Sequence, residues 1–104
     1  MPSTWKVQTD AAISAAKIQG IAKHLGGAIQ ALRNTVYTVG AARVQINTII
    51  AASGDDAKKI VATLGRMKRS DTFLRRGAVI YEFVGNNAAL PTIKAGRAHL
   101  AAAR

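Results

Sequence analysis

Residues 18–52 read IQGIAKHLGGAIQALRNTVYTVGAARVQINTIIAA, and the period of the apolar residues in this stretch decides the fold. With Ile18 at heptad position a, the a and d positions are Ile18, Ile21, Leu25, Ala28, Leu32, Thr35, Val39, Ala42, Ile46 and Ile49. All but Thr35 are apolar, a regularity expected of an amphipathic helix. Position e adds Ala22, Ile29, Val36 and Ile50, with Arg43 the exception. A stripe of that width suits a bundle or a higher oligomer better than a two-stranded zipper. Asp10, preceded by Thr9, is the expected N-cap, which makes the predicted helix span about 10–52.

The b and c positions hold Gln19, Gly20, Gly26, Gly27, Arg33, Asn34, Gly40, Ala41, Asn47 and Thr48. A solvated face normally carries Glu and Lys, so small and amide residues there suggest that this face is covered too. A continuous helix over 10–52 would extend roughly 60 Å, whereas a compact chain of this length has a radius of gyration of about 13 Å. Either the helix breaks, with Gly26-Gly27 the natural point, or the protomer is elongated and buries its stripe against other copies.

Outward from this stretch, Ser53 is the expected N-cap of a second helix over about 55–69, with Asp55 and Asp56 in its first turn, where the helix dipole favours anions. Ile60, Val61, Leu64 and Met67 mark its apolar face. The run Ala78-Val79-Ile80-Tyr81-Glu82-Phe83-Val84 is rich in β formers. It has no evident second strand to pair with, and Phe73, Gly77, Ile80 and Val84 keep a helical spacing, so a helix is expected over about 71–85. Pro91 favours the start of a last helix, about 92–103. Phe73, Tyr81 and Phe83 are expected in the core, with Trp5 pinning the N-terminus to a neighbour. The expectation is a single all-α domain over 1–104: an elongated helical hairpin or small helical bundle, with a long N-terminal heptad helix followed by two or three shorter helices.

Fifteen Lys and Arg stand against five Asp and Glu in 104 residues, a formal net charge of +10. Such an excess is self-repelling unless a polyanion offsets it, which points to nucleic acid or an anionic membrane surface. Cysteine is absent, so no disulfide framework or thiolate chemistry is available to this sequence. The N-terminus lacks the charged and apolar regions of a signal peptide. Lys17, Lys23, Arg33 and Arg43 interrupt every apolar run before it reaches spanning length. A soluble protein is expected, cytoplasmic or inside an assembled particle.

The densest charge cluster is Arg66, Lys68, Arg69, Arg75 and Arg76, extended by Lys58 and Lys59. The guanidinium fork suits phosphate, and with no DNA-reading motif in the chain the contact expected is with the backbone, irrespective of sequence. Self-association is assigned to Ile18, Ile21, Leu25, Ile29, Leu32, Val36, Val39, Ile46, Ile49 and Ile50. No catalytic set is expected: adjacent Asp55 and Asp56 diverge on a helix, and His24 and His99 have no metal-ligand spacing. Nor is a cofactor, a metal or a small-molecule substrate implied. The sequence thus reads as a non-enzymatic structural or assembly protein, forming a homo-oligomer and contacting nucleic acid through the basic patch, as in a nucleoprotein particle or phage virion. The alternative reading is a membrane-active basic amphipathic protein, surface-bound or forming an oligomeric pore.

Overall fold

The stretch expected to form one long helix is instead a short helix followed by two long strands. The structure, a computed structural model, describes residues 5–67, 72–85 and 90–102. In chain order the elements are β1 (Lys6–Ala12), α1 (Ala15–Leu25), β2 (Ile29–Val39), β3 (Ala42–Ala51), α2 (Gly54–Met67), β4 (Phe73–Arg76), β5 (Val79–Val84) and α3 (Leu90–Ala102). The strands form one sheet in the order β1-β2-β3-β5-β4, antiparallel at every pairing. The all-α, coiled-coil and helical-bundle expectations are therefore overturned: the described residues form a mixed fold with a five-stranded antiparallel sheet and three short helices.

The physical reason lies in side-chain shape. Thr35, Val36, Thr38, Val39, Val44, Ile46, Thr48, Ile49 and Ile50 are β-branched, stiff at χ1 and better accommodated on a pleated surface than on a helix. The heptad spacing of three and four residues also alternates parity. On a strand it therefore sends apolar groups to both faces, and here both faces are covered.

One face carries α1 and α2. Leu25, Ala57, Ile60 and Leu64 of these helices pack with Leu32, Ile49, Ala51, Phe73 and Ile80 of the sheet. The other face carries α3, whose Ile93 packs with Trp5, Val44, Ile46 and Phe83. Strand parity agrees, because Ile49 and Ile80 are paired across β3 and β5 on one face and Ile46 and Phe83 on the other.

The residues assigned to self-association are used within the chain. Ile18, Ile21, Leu25, Ile29, Leu32 and Ile49 belong to the first core, and Val39 and Ile46 to the second. Val36 is half-buried, and Ile50 is 38% exposed. The elongated alternative falls with the long helix: the radius of gyration is 13.3 Å and the extents are 35 × 27 × 25 Å.

The chain does break at Gly26-Gly27. Gly26 is the C-cap of α1, donating its N–H to the Ala22 carbonyl, but the next element is a strand rather than a second helix. The expected cap at Asp10 is also corrected. Ser14 caps α1, while Asp10 sits in β1 and ties that edge strand to β2. It receives Arg33 Nε at 2.6 Å, Arg33 NH2 at 2.8 Å and the Thr35 hydroxyl at 2.9 Å. These hydrogen bonds hold the Asp10 carboxyl below the usual aspartate range, the Arg33 bond first.

The segment expected as a helix over 71–85 is a hairpin, except for residue 71, which lies outside the described residues. β5 has partners on both sides, β3 and β4. The two tight hairpins share one device. Val39 and Ala42 flank Gly40-Ala41, and Arg76 and Val79 flank Gly77-Ala78. Gly40 and Gly77 have φ of 59° and 60°, glycine standing first of two loop residues as in a type II′ turn.

The second and fourth expected helices are present as α2 and α3, starting at Gly54 and Leu90, with the expected last residues 68–69 and 103 outside the described residues. Ser53 caps α2: its hydroxyl oxygen accepts from Asp56 N–H at 3.1 Å and donates to the Asp56 carboxylate at 2.8 Å.

Candidate ligand groove and basic face

Two short helices do not cover the face they pack on, and the uncovered part is polar. Three cross-strand rows follow from the register. The first, Leu32–Ile49–Ile80, lies in the core. The second is Asn34–Asn47–Glu82, and the third is Val36–Gln45–Val84. Successive rows lie two residues apart, so all three face the same way.

The second row and Gln45 form the floor of a cavity of about 620 Å³. Lys17, Gly20, Ile21, His24 and Leu25 of α1 make one wall, and Leu64 and Met67 of α2 make the other. Lys17, Gly20 and His24 recur at helical spacing, so one flank of α1 runs along the opening. A smaller cavity of about 310 Å³, lined by Val36, Arg43, Gln45 and Val84, adjoins at Gln45.

The floor is internally oriented. Gln45 Nε2 donates to Asn47 Oδ1, and Asn47 Nδ2 donates to Glu82 Oε1, both at 2.8 Å. This chain fixes which way each amide points. It leaves Gln45 Oε1 and the half-buried Asn34 amide without a hydrogen-bond partner among the described residues. The site thus offers donors and acceptors at its base and apolar side chains on its walls. Volumes of this size, with few convergent polar groups, characterise binding sites for small molecules and for parts of larger ones.

Around the groove the surface is cationic. Lys17 and Lys23 on α1, and Lys58, Lys59 and Arg66 on α2, are exposed and unpaired with any carboxylate among the described residues. Arg43 is exposed at the far end of the open sheet surface, and Lys6 pairs with Thr38 in β2, the neighbour of Arg43 across the β2–β3 ladder. Of the acids, Asp10 is bound by Arg33. Asp56 is held below the usual range by the Ser53 hydroxyl and then by the Ala28 N–H. Burial on the opposite face raises the Tyr37 phenol, with the Asp10 charge adding to the effect.

The predicted basic cluster is divided by this arrangement. Lys58, Lys59 and Arg66 share the outer side of α2, whose inner side buries Ala57, Ile60 and Leu64. Lys68 and Arg69 lie outside the described residues. Arg75 and Arg76 are consecutive on β4 and project to opposite faces of the sheet. Each is partly committed: Arg75 donates to the Gly77 carbonyl and Arg76 to the Leu100 carbonyl. The turn on which convergence is expected lies outside the described residues; among the described ones, the exposed cations Lys58, Lys59 and Arg66 of the predicted set share the α1–α2 layer.

Sequence reasoning misses Lys17, Asn34, Gln45, Asn47 and Glu82 as a group. A trace of the signal is present, since Asn34 and Asn47 occupy positions where a solvated helix would carry charge. Among the described residues no three His, Cys, Asp or Glu side chains come together as metal ligands. No helix described is long and apolar enough to cross a membrane. Comparison of the chain with known protein families, with curated proteins and with solved structures finds no match.

Proposed function

We propose that this protein is a non-enzymatic binding module that holds nucleic acid on its α1–α2 face, mainly through contacts to phosphate. The observation that carries the reading is the set Lys17, Lys23, Lys58, Lys59 and Arg66, exposed on one helical layer, none of them in a salt bridge among the described residues, with only Lys59 feeling a nearby carboxylate, that of Asp56. Like charges on one layer repel one another, and phosphates relieve that repulsion while releasing condensed counterions. Self-association through a long helix forms no part of this reading, because no such helix forms and all of the residues that suggested it except Val36 and Ile50 pack in the cores of the chain itself.

The test is a salt series. Binding of labelled DNA and RNA is followed by anisotropy as monovalent salt rises. With about four phosphate contacts, affinity falls roughly a hundredfold between about 50 and 200 mM salt. Replacing Lys58, Lys59 and Arg66 by Ala weakens binding to all sequences alike and flattens the salt slope by about one unit for each cation removed. Absence of binding at low salt, or a triple variant with unchanged affinity, would rule the reading out. Binding to anionic vesicles that persists in high salt, with none to nucleic acid, would favour a membrane surface instead.

A further inference from the structure

We propose that the groove between α1 and α2 seats an unpaired nucleobase, so that the preferred partner is single-stranded nucleic acid. This rests on the phosphate-binding reading above and adds a second, chemically different contact to it.

The groove has requirements that a phosphate alone does not meet. Its floor presents Asn34, Gln45, Asn47 and Glu82, while its walls present Ile21, Leu64 and Met67 among others. An acyl chain would satisfy the walls but strand the floor amides without partners, which is costly in a half-buried site. A flat heterocycle satisfies both surfaces: its faces are apolar and polarisable, and its edges carry donors and acceptors of the kind that amide and carboxylate side chains pair with.

The positions of the cations fit the same occupant. Lys17 stands on the rim of the groove, and Arg43 lines the adjoining cavity, which shares Gln45 with the first. A chain whose base enters the larger cavity can therefore place phosphates beside Lys17 and Arg43 as it crosses the open sheet. The bases of a duplex are already paired and stacked, and cannot enter.

The experiment compares a single-stranded oligonucleotide, a duplex of the same length and inorganic polyphosphate, at one salt concentration, against the wild type and two variants. Gly20→Leu fills the groove from α1. A Cβ at Gly20 meets nothing within 4 Å, and loss of a mid-helix glycine favours the helix, so this variant folds. The second variant combines Asn47→Ala with Glu82→Gln and removes the floor's hydrogen-bond chain; thermal melting monitors its fold.

The single strand is expected to bind the wild type about tenfold more tightly than the duplex, the effect of burying one base against the apolar walls. Both variants are expected to lose that preference and keep their affinity for duplex and polyphosphate. Equal affinity of the wild type for single strand and duplex overturns the inference and leaves the phosphate reading standing. So does a Gly20→Leu variant that keeps the preference. If none of the three polyanions binds, both fall together.

Discussion

At Gly27 the chain passes so close beneath α2 that a side chain has no room. A Cβ there would lie 2.6 Å from the Asp56 carbonyl oxygen and 2.9 Å from Ile60 Cγ1. Gly20, seven residues earlier, faces open space. The same substitution therefore has opposite signs at the two sites. Gly27→Ala is expected to lower stability by about 1–3 kcal/mol through overpacking. Gly20→Ala is expected to raise it by up to about 1 kcal/mol through helix propensity. Urea denaturation of the two variants checks the pair, and equal shifts in midpoint would contradict the close approach. Asp56 next to Gly27 supplies the pH dependence. Its carboxyl, like that of Asp10, is held below the ordinary aspartate value of 3.8. A depressed folded-state pKa means the contribution is complete above that ordinary value and is lost as pH falls through the lowered one. Asp56→Asn should thus be less stable than wild type at neutral pH and converge on it in acid. A difference that does not change with pH would place the effect outside the carboxylate's charge.

Among the elements, the two hairpins show how little local sequence is needed to reverse a strand. Gly40-Ala41 and Gly77-Ala78 each close a two-residue loop, and in each the glycine takes the left-handed backbone that an L side chain resists. Gly77→Ala is expected to cost about 1–2 kcal/mol. No neighbour lies within 4 Å of the added Cβ, so the cost is one of backbone alone. Thermal unfolding of this variant beside one bearing Ala78→Gly measures it; a Gly77→Ala protein as stable as wild type would exclude the positive φ. The hairpin β4–β5 also explains why residues 72–84 read ambiguously. An isolated β-rich run is not viable as a strand, and its long partner, β3, carries a spacing that reads as helix. The ambiguity of one element therefore spreads to the element that pairs with it.

Across the whole molecule, order falls from the centre of the sheet to one edge. β3 is paired on both sides, and Val44, Ile46, Ile49 and Ala51 are buried against cores on both faces. β1 is an edge strand with all seven residues exposed, held by its ladder to β2 and by Asp10. Native-state hydrogen exchange is expected to be slowest for the amides of β3 and much faster for those of β1, whose seven residues are all exposed. Uniform protection across the five strands would contradict this gradient. The open end of the sheet also carries the candidate site. Over the rows that contain Asn34, Gln45, Asn47 and Glu82, α1 supplies a wall that bears Lys17 and α2 an apolar wall of Leu64 and Met67, with the polar floor between them.

Some of this is legible in the sequence alone. Charge excess, the absence of thiols, the cap at Ser53, the acidic first turn of α2 and the presence of a last helix are local or compositional properties, which single residues and short spacings encode; the break at Gly26-Gly27 is one of two alternatives that the sequence leaves open. The pairing of Ile49 with Ile80, the split of Arg75 from Arg76 and the placing of Lys17 and Glu82 in the lining of one groove are not of that kind. They depend on which face of a strand a residue takes and on what covers that face. For a sheet buried on both sides, apolar residues at a spacing of three and four satisfy a strand as well as they satisfy a helix. Only the tertiary packing, with α1 and α2 on one face and α3 on the other, selected between them.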